Sequence, residues 1–342
     1  MGECILAGHT PSAGGKRTAR FIVGTATAGW TSKDCDYLCD GTDDQVEINA
    51  AIQALPADGG EVLILDGIYS IAAAISMSKE KVKLSGNGNA TILKRMWDST
   101  TSAFAGVISI ISEWCIVSDI YVDGNGVTFK GSSNHNIHIT ASNNIIIGNT
   151  CVNAQGNGIN GSDVKNIIIE NNVCTKNRDG IANYRVASNI ISGNVCTGNT
   201  YGISLSGFSN NNTIYGNITN SNSYGIYVIQ SSDNSFSGNL CNDNPYYAGI
   251  CLFSSSSNTV SGNTCNKNTV GIHLRASSNN TITGNTCIRG TGTSGDYASN
   301  KYTIRLEGTE NTNNLIAYNN IMGKNYTSEG GTGNTFTGNK YN

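Results

Sequence analysis

Residues 262–287 read GNTCNKNTVGIHLRASSNNTITGNTC, a stretch that opens and closes on the same four residues. The echo belongs to a longer series. Gly-Asn or Asn-Asn followed by x-Cys or a substitute recurs with its Asn at Asn149, Asn172, Asn194, Asn217, Asn239, Asn263 and Asn285. Gly-Ile recurs in phase at Ile159, Ile181, Ile203, Ile226, Ile250 and Ile272. A third column runs through Asn144, Asn166, Asn189, Asn212, Asn234, Asn258 and Asn280. Three columns sharing one short period mark a solenoid, in which each unit buries its apolar side only by stacking on the next.

Within a unit the pattern has period two, as in Gly-Ile-Ser-Leu-Ser from Gly202, which predicts short strands separated by Gly, Asn and Ser turns. Helical spacing and a leucine-rich framework are both missing. The predicted fold is all-β: a single-stranded right-handed parallel β-helix of about 22 residues per coil, with a short capping α-helix at its N-terminal end. Coils then stack at about 4.8 Å. Inward Ile, Val, Leu and Cys form columns, and Asn amides bond to one another up the stack.

This arrangement accounts for most of the 11 cysteines. Cys151, Cys174, Cys196, Cys241, Cys265 and Cys287 share one column, with Thr219 in the same place in the coil that lacks one. Small buried thiols suit a tight interior, and parallel side chains do not present the geometry of a disulfide, so free thiols are expected. Cys-x-x-Cys spacing never occurs, and no metal is expected. Reduced thiols favour assembly in a reducing cytoplasm. Cys35 and Cys39, in CDYLC, fit either a bridge or packing of the cap.

Only 13% of residues are charged and the net charge is −3, which offers no electrostatic footprint for nucleic acid or an anionic membrane. No apolar run approaches the roughly 18 residues of a membrane span. The opening MGECILAGHTPSAGGKR lacks a charged head followed by an apolar core, so no signal peptide is visible.

Towards the N-terminus, DGTDDQVEINAAIQAL predicts a helix over about 43–55, with Thr42 and Gln45 as a capping box. The longer segment DGTDDQVEINAAIQALPADGGEVLILDGIYSI resembles the N-terminal part of the pectate-lyase-like superfamily, shared by many phage tailspikes and polysaccharide-acting enzymes. The resemblance implies that the helix plugs one end of the β-helix. The expected organisation is an N-terminal extension and capping helix over 1–60, then a β-helix over 61–342. Its regular repeats span 136–290 and its irregular coils 291–342. The resemblance further implies a polysaccharide or cell-surface glycan as partner, a phage particle or the extracellular space as location, and the homotrimer of tailspikes, although no trimerisation segment is evident. It leaves the activity open among lyase, hydrolase, epimerase and non-catalytic binder. No cofactor is expected. The acid and histidine motifs of polygalacturonases, pectate lyases and alginate epimerases are absent from the repeats.

Function on such a rod rests on outward positions. Taking each Ile of Gly-Ile as inward, the next residue out reads His138, Asn160, Ala182, Ser204, Tyr227, Cys251, His273 and Arg305. Two positions on, the column reads Thr140, Ser162, Tyr184, Ser206, Ile229, Phe253, Arg275 and Glu307. Polar neutral groups interleaved with aromatics suit sugar rings. Two charged groupings stand out. Asp163 and Arg185 occupy equivalent places in adjacent coils, with Asp179 and Tyr184 beside them and His138 one coil below. Such a set supplies acid–base groups for glycan chemistry. The second grouping is His273, Arg275, Arg305 and Glu307, with Glu307 facing Arg275, and it joins Tyr227 as a binding surface. A surface ion pair is the plain alternative for both. Strand alternation puts His135 and His138 on opposite faces.

Overall fold

The computed structural model describes residues 19–99, 106–288, 301–322, 327–328 and 331–341. Every strand pairing in it is parallel, and the strands form two sheets, a back sheet of 18 and a front sheet of 11. The front-sheet register matches Ile137, Ile159, Ile181, Ile203, Ile226, Ile250 and Ile272 in turn. Parallel strands joined by crossovers of one hand make this a right-handed parallel β-helix. The front sheet runs from Ile75–Met77 to Thr327–Ser328, one strand per coil. The inserted loop expected at 291–302 lies almost wholly outside the described residues.

The inward columns explain the repeat. The aligned Ile side chains and Cys151, Cys174, Cys196, Cys241 and Cys287 are fully buried in one continuous core. Each buried Ile contributes about 1.5–3 kcal/mol by leaving water. All the described cysteines are free thiols, Cys35 and Cys39 included. The Asn column from Asn149 onwards is a hydrogen-bond ladder. Asn194 Nδ2 donates to Asn217 Oδ1 at 3.0 Å, and Asn217 Nδ2 donates to Asn239 Oδ1 at 3.0 Å. Spare amide hydrogens are taken up by carbonyls such as Ile191 O, so a buried amide is satisfied on every side.

Two details differ from the sequence expectation. Asn166 is not a rung: the backbone N–H of Ile167 donates to Asn189, and Asn166 sits in a left-handed turn bonded to Asn143. A further ladder, Asn177, Asn199, Asn222, Asn244 and Asn268, was not anticipated.

The helix α1, Gln45–Ala54, buries Ile48, Ala51 and Ile52 against the first coil. The capping box does not form. Instead the Asp44 carboxylate accepts the N–H groups of Gly41 (2.8 Å) and Ser70 (2.6 Å), and Gln45 Oε1 accepts the N–H of Ala72 at 2.9 Å. The helix is therefore fastened to the neighbouring strand and to the loop that leads into it. The back sheet begins before the helix, because Arg20–Thr25 pairs with Gly60–Ile64. No helix among the described residues is long and apolar enough to cross a membrane.

Candidate functional site

The Gly of each Gly-Ile pair decides what the front sheet shows to solvent. A Cβ added to Gly180 would point inward, 2.6 Å from the carbonyl oxygen of Gly202 and 2.9 Å from the Cβ of Cys196. Gly180 and Ile181 thus both face the core, and alternation breaks between them. The residue before the Gly is thrown outward. That edge column reads His135, Asn157, Asp179, Tyr201, Tyr224, Ala248 and Val270, and Tyr302 follows beyond the insertion. In the first of these coils Asn136 replaces the Gly and turns its amide inward to the carbonyls of Val122 and Val152. His135 and His138 consequently lie on one face, with ring centroids 5.6 Å apart, which corrects the expectation of opposite faces. His138 is buried beside Asn160 on the next strand. Burial, with His138, Arg178 and Arg95 nearby, pushes the pKa of His135 down to about 3, so it is neutral.

An open recess of about 240 Å³ centres on Asp179, with Arg178, Asn157, Asn160, Tyr184 and Ser204 among its lining residues. Ser204 Oγ donates to Asp179 Oδ2 at 2.5 Å, and Arg178 Nε lies 3.3 Å from Oδ1. Arg178 also donates to Asn157 Oδ1 at 3.0 Å, and Asn157 to Asn160 Oδ1 at 2.7 Å. Both partners of Asp179 favour its charged form, but loss of solvent outweighs them and raises its pKa above the usual carboxylate range.

Asp163 and Arg185 stack as the sequence suggested, with Arg185 Nε 2.6 Å from Asp163 Oδ1, yet they do not join the recess. Both have left-handed backbone at the turn that ends the strand, which swings them outward, and about half of each side chain is exposed (54% and 53%). Arg185 also lies over the Tyr184 ring, 4.9 Å from its centroid. Of the first grouping, Asp179 and Tyr184 share the recess, His138 is one coil away and the Asp163–Arg185 pair stands on the rim.

The second grouping does come together, with a different pairing. Glu307 Oε2 lies 2.8 Å from His273 Nε2 and 3.5 Å from Arg305, whereas Arg275 sits over the Phe253 ring at 5.1 Å. Strand register places Arg275 beside Glu307, but the guanidinium follows the aromatic face instead. Burial lowers the pKa of His273, although Glu307 opposes the shift. A recess of about 300 Å³ contains this cluster together with Tyr224, Tyr246 and Tyr247. A larger opening of about 470 Å³ follows, lined by Phe253, Arg275, Glu307 and Glu310 among others.

Between the Asp179 recess and the Glu307 recess runs a group of tyrosines. Tyr201 stacks on Tyr224 (centroids 5.4 Å apart) and Tyr224 on Tyr247 (4.5 Å), while Tyr227 leans on Tyr201 and Tyr224 at 5.1 and 4.9 Å. Only Tyr227 was expected on this face. Tyr201 and Tyr224 were signalled by the residue before Gly-Ile, a column that strict alternation assigns to the core, and Tyr247 comes from the segment leading into the next strand. Four strand spacings separate the strand of Asp179 from that of His273, about 19 Å.

Two family profiles match parts of the chain: one described as "Right handed beta helix region" over residues 106–248, the other as "Periplasmic copper-binding protein (NosD)" over residues 208–342. No curated protein matches. Among solved structures, the A-module of the mannuronan C-5 epimerase AlgE4 from Azotobacter vinelandii aligns at TM-score 0.74 and 19% identity, covering 93% of this chain and 97% of that one. The DFA-IIIase of Arthrobacter chlorophenolicus A6 aligns at 0.66 and 14%, over 86% and 88%. The Dettilon tailspike protein aligns at 0.60 and 18%, over 84% of this chain and 66% of its own. These likenesses show the fold. Copper fits poorly: among the described residues the one cluster of three His, Cys, Asp or Glu ligand atoms is Cys39, Asp44 and Glu47, outside the matched span, and there the Asp44 carboxylate is taken by backbone N–H groups.

Proposed function

We propose that this chain, a right-handed parallel β-helix of the pectate-lyase-like superfamily, holds a linear glycan along its front sheet and that Asp179 exchanges a proton with it. The observation that carries this reading is the row of tyrosine rings joining two polar recesses on one open face. Aromatic faces take the apolar side of a sugar ring, while Asn, Ser and carboxylate groups take its hydroxyls. A buried carboxyl with a raised pKa keeps its proton closer to neutral pH, as a general acid requires. Ser204 and Arg178 hold its two oxygens in place. Among the structural neighbours, the mannuronan C-5 epimerase is named for a glycan substrate, which agrees with a glycan as ligand here.

A non-catalytic binder is the second reading. The Asp179 recess contains one carboxyl group, whereas glycoside hydrolysis ordinarily takes two. The test is incubation with a panel of acidic and neutral polysaccharides, following ultraviolet absorbance from unsaturated uronates and the release of reducing ends. Either signal, abolished in Asp179→Asn, supports the enzyme. Binding without either signal supports the binder, and no binding at all rejects the glycan. We further propose a location outside the cytoplasm or on a phage particle, and a homotrimer. Sedimentation at a single monomer mass would exclude the trimer.

A further inference from the structure

Resting on the glycan reading, we infer that the ligand is a neutral polysaccharide rather than a polyuronate or another polyanion. The argument is one of charge compensation. A polyanion carries a negative group at regular intervals, so its groove needs a file of cations left unneutralised by the protein. Among the described residues, three recesses of the front sheet are lined by three arginines, Arg178, Arg275 and Arg305, and by three acids, Asp179, Glu307 and Glu310. Arg305 is already answered, 3.5 Å from Glu307, and Arg178 is engaged by Asp179 at 3.3 Å and by Asn157 at 3.0 Å. On the rim, Arg185 is held by Asp163.

The histidines add little positive charge. Burial lowers the pKa of both His135 and His273, which leaves them neutral near pH 7. Arg275 is the remaining guanidinium. It stacks on Phe253 beside Glu307 and Glu310, where an approaching anion would meet two carboxylates as well. The chain as a whole is negative, at −3. Against this, the lane between the recesses presents an uncharged aromatic stack, Tyr201, Tyr224 and Tyr247 with Tyr227 leaning on it, of which Tyr247 is the most exposed. Asn157, Asn160, Ser162 and Ser206 line the recess at its end with neutral hydrogen-bonding groups. These groups recognise hydroxyls and C–H faces and are indifferent to charge.

The experiment measures binding of the intact protein to neutral oligosaccharides (glucan, xylan, galactomannan and fructan series) and to polyuronate oligosaccharides, the latter in native and carboxyl-reduced forms. Each titration is run at about 0.01 M and about 1 M salt. The expected result is binding of a neutral series with a Kd that changes less than about twofold with salt, because stacking and neutral hydrogen bonds are not screened. Tyr247→Ala should weaken that binding about tenfold and Tyr247→Phe much less, since its exposed ring, backed by Tyr224, carries the contact. Carboxyl reduction should improve binding of the uronate series. Preference for the native polyuronate, weakening steeply with salt, would overturn the inference while leaving the glycan reading intact. Failure of every glycan at both salt concentrations would reject the glycan reading itself.

Discussion

The two edges of the front sheet come from the same strands and behave in opposite ways. Along the upstream edge, Asn157, Asp179, Tyr201 and Tyr224 emerge just before an inward Gly, and they are wedged between neighbours on the adjacent coils. Along the downstream edge, Asp163, Arg185, Phe208, Gln230, Ser254 and Ala276 all adopt left-handed backbone and project from the rod. The contrast is sharpest for the two aspartates. Asp179 has 9% of its side chain exposed, two polar partners and a raised pKa. Asp163 has 54% exposed and a single partner on the rim. Identical residue types on neighbouring coils acquire different chemistry because one is pressed into the coil stack and the other is turned away from it. The upstream edge therefore holds the candidate chemistry, and the downstream edge forms its border.

The largest test of that contrast is kinetic. If the protein turns a glycan over, Asp179→Asn should lower kcat by about two orders of magnitude or more, while Asp163→Asn leaves it within about twofold. A matching loss in both variants would erase the distinction between the edges.

Next in size is the Gly that creates the upstream edge. Gly202→Ala places a methyl 2.5 Å from the carbonyl oxygen of Gly225 and 2.9 Å from the Cβ of Thr219. It should cost about 2–3 kcal/mol in urea unfolding, the range expected for overpacking a tight interior. A neutral result would mean that alternation does not need the Gly.

A smaller effect separates the aspartates by pH. The folded-state pKa of Asp179 is raised, so this group favours folding below its unfolded pKa and loses that contribution as pH rises through the folded value. Asp179→Asn should therefore leave acid stability unchanged and raise stability at neutral pH, so that activity and stability move in opposite directions. Parallel unfolding curves for wild type and variant across pH would contradict the burial argument. Smallest of all, Arg185→Ala should not move the unfolding midpoint, because its ion pair with Asp163 is solvated on both sides.

Much of this was readable in advance, and the misses have separate physical causes. The repeat period, the inward Ile and Cys columns and the main Asn ladder follow from alternation. So do the outward places of Tyr227, Phe253 and His273. Tyr201 and Tyr224 were missed because alternation was carried through the Gly, where it fails. Asp163 was placed beside Asp179 because a left-handed turn at an Asp leaves no mark that distinguishes it from a strand end. Glu307 was matched to Arg275 by register alone, yet Phe253 flanks Arg275 on the other side and the Glu307 carboxylate is taken by His273 and Arg305.

The amino-acid sequence by itself determined a parallel β-helix, its register and its interior, since backbone ladders and buried columns repeat with the chain and tolerate few exceptions. Only the tertiary structure decided which polar groups are buried enough to carry chemistry. Burial depends on how successive coils press side chains together, a relation between residues about one coil apart that no single coil contains.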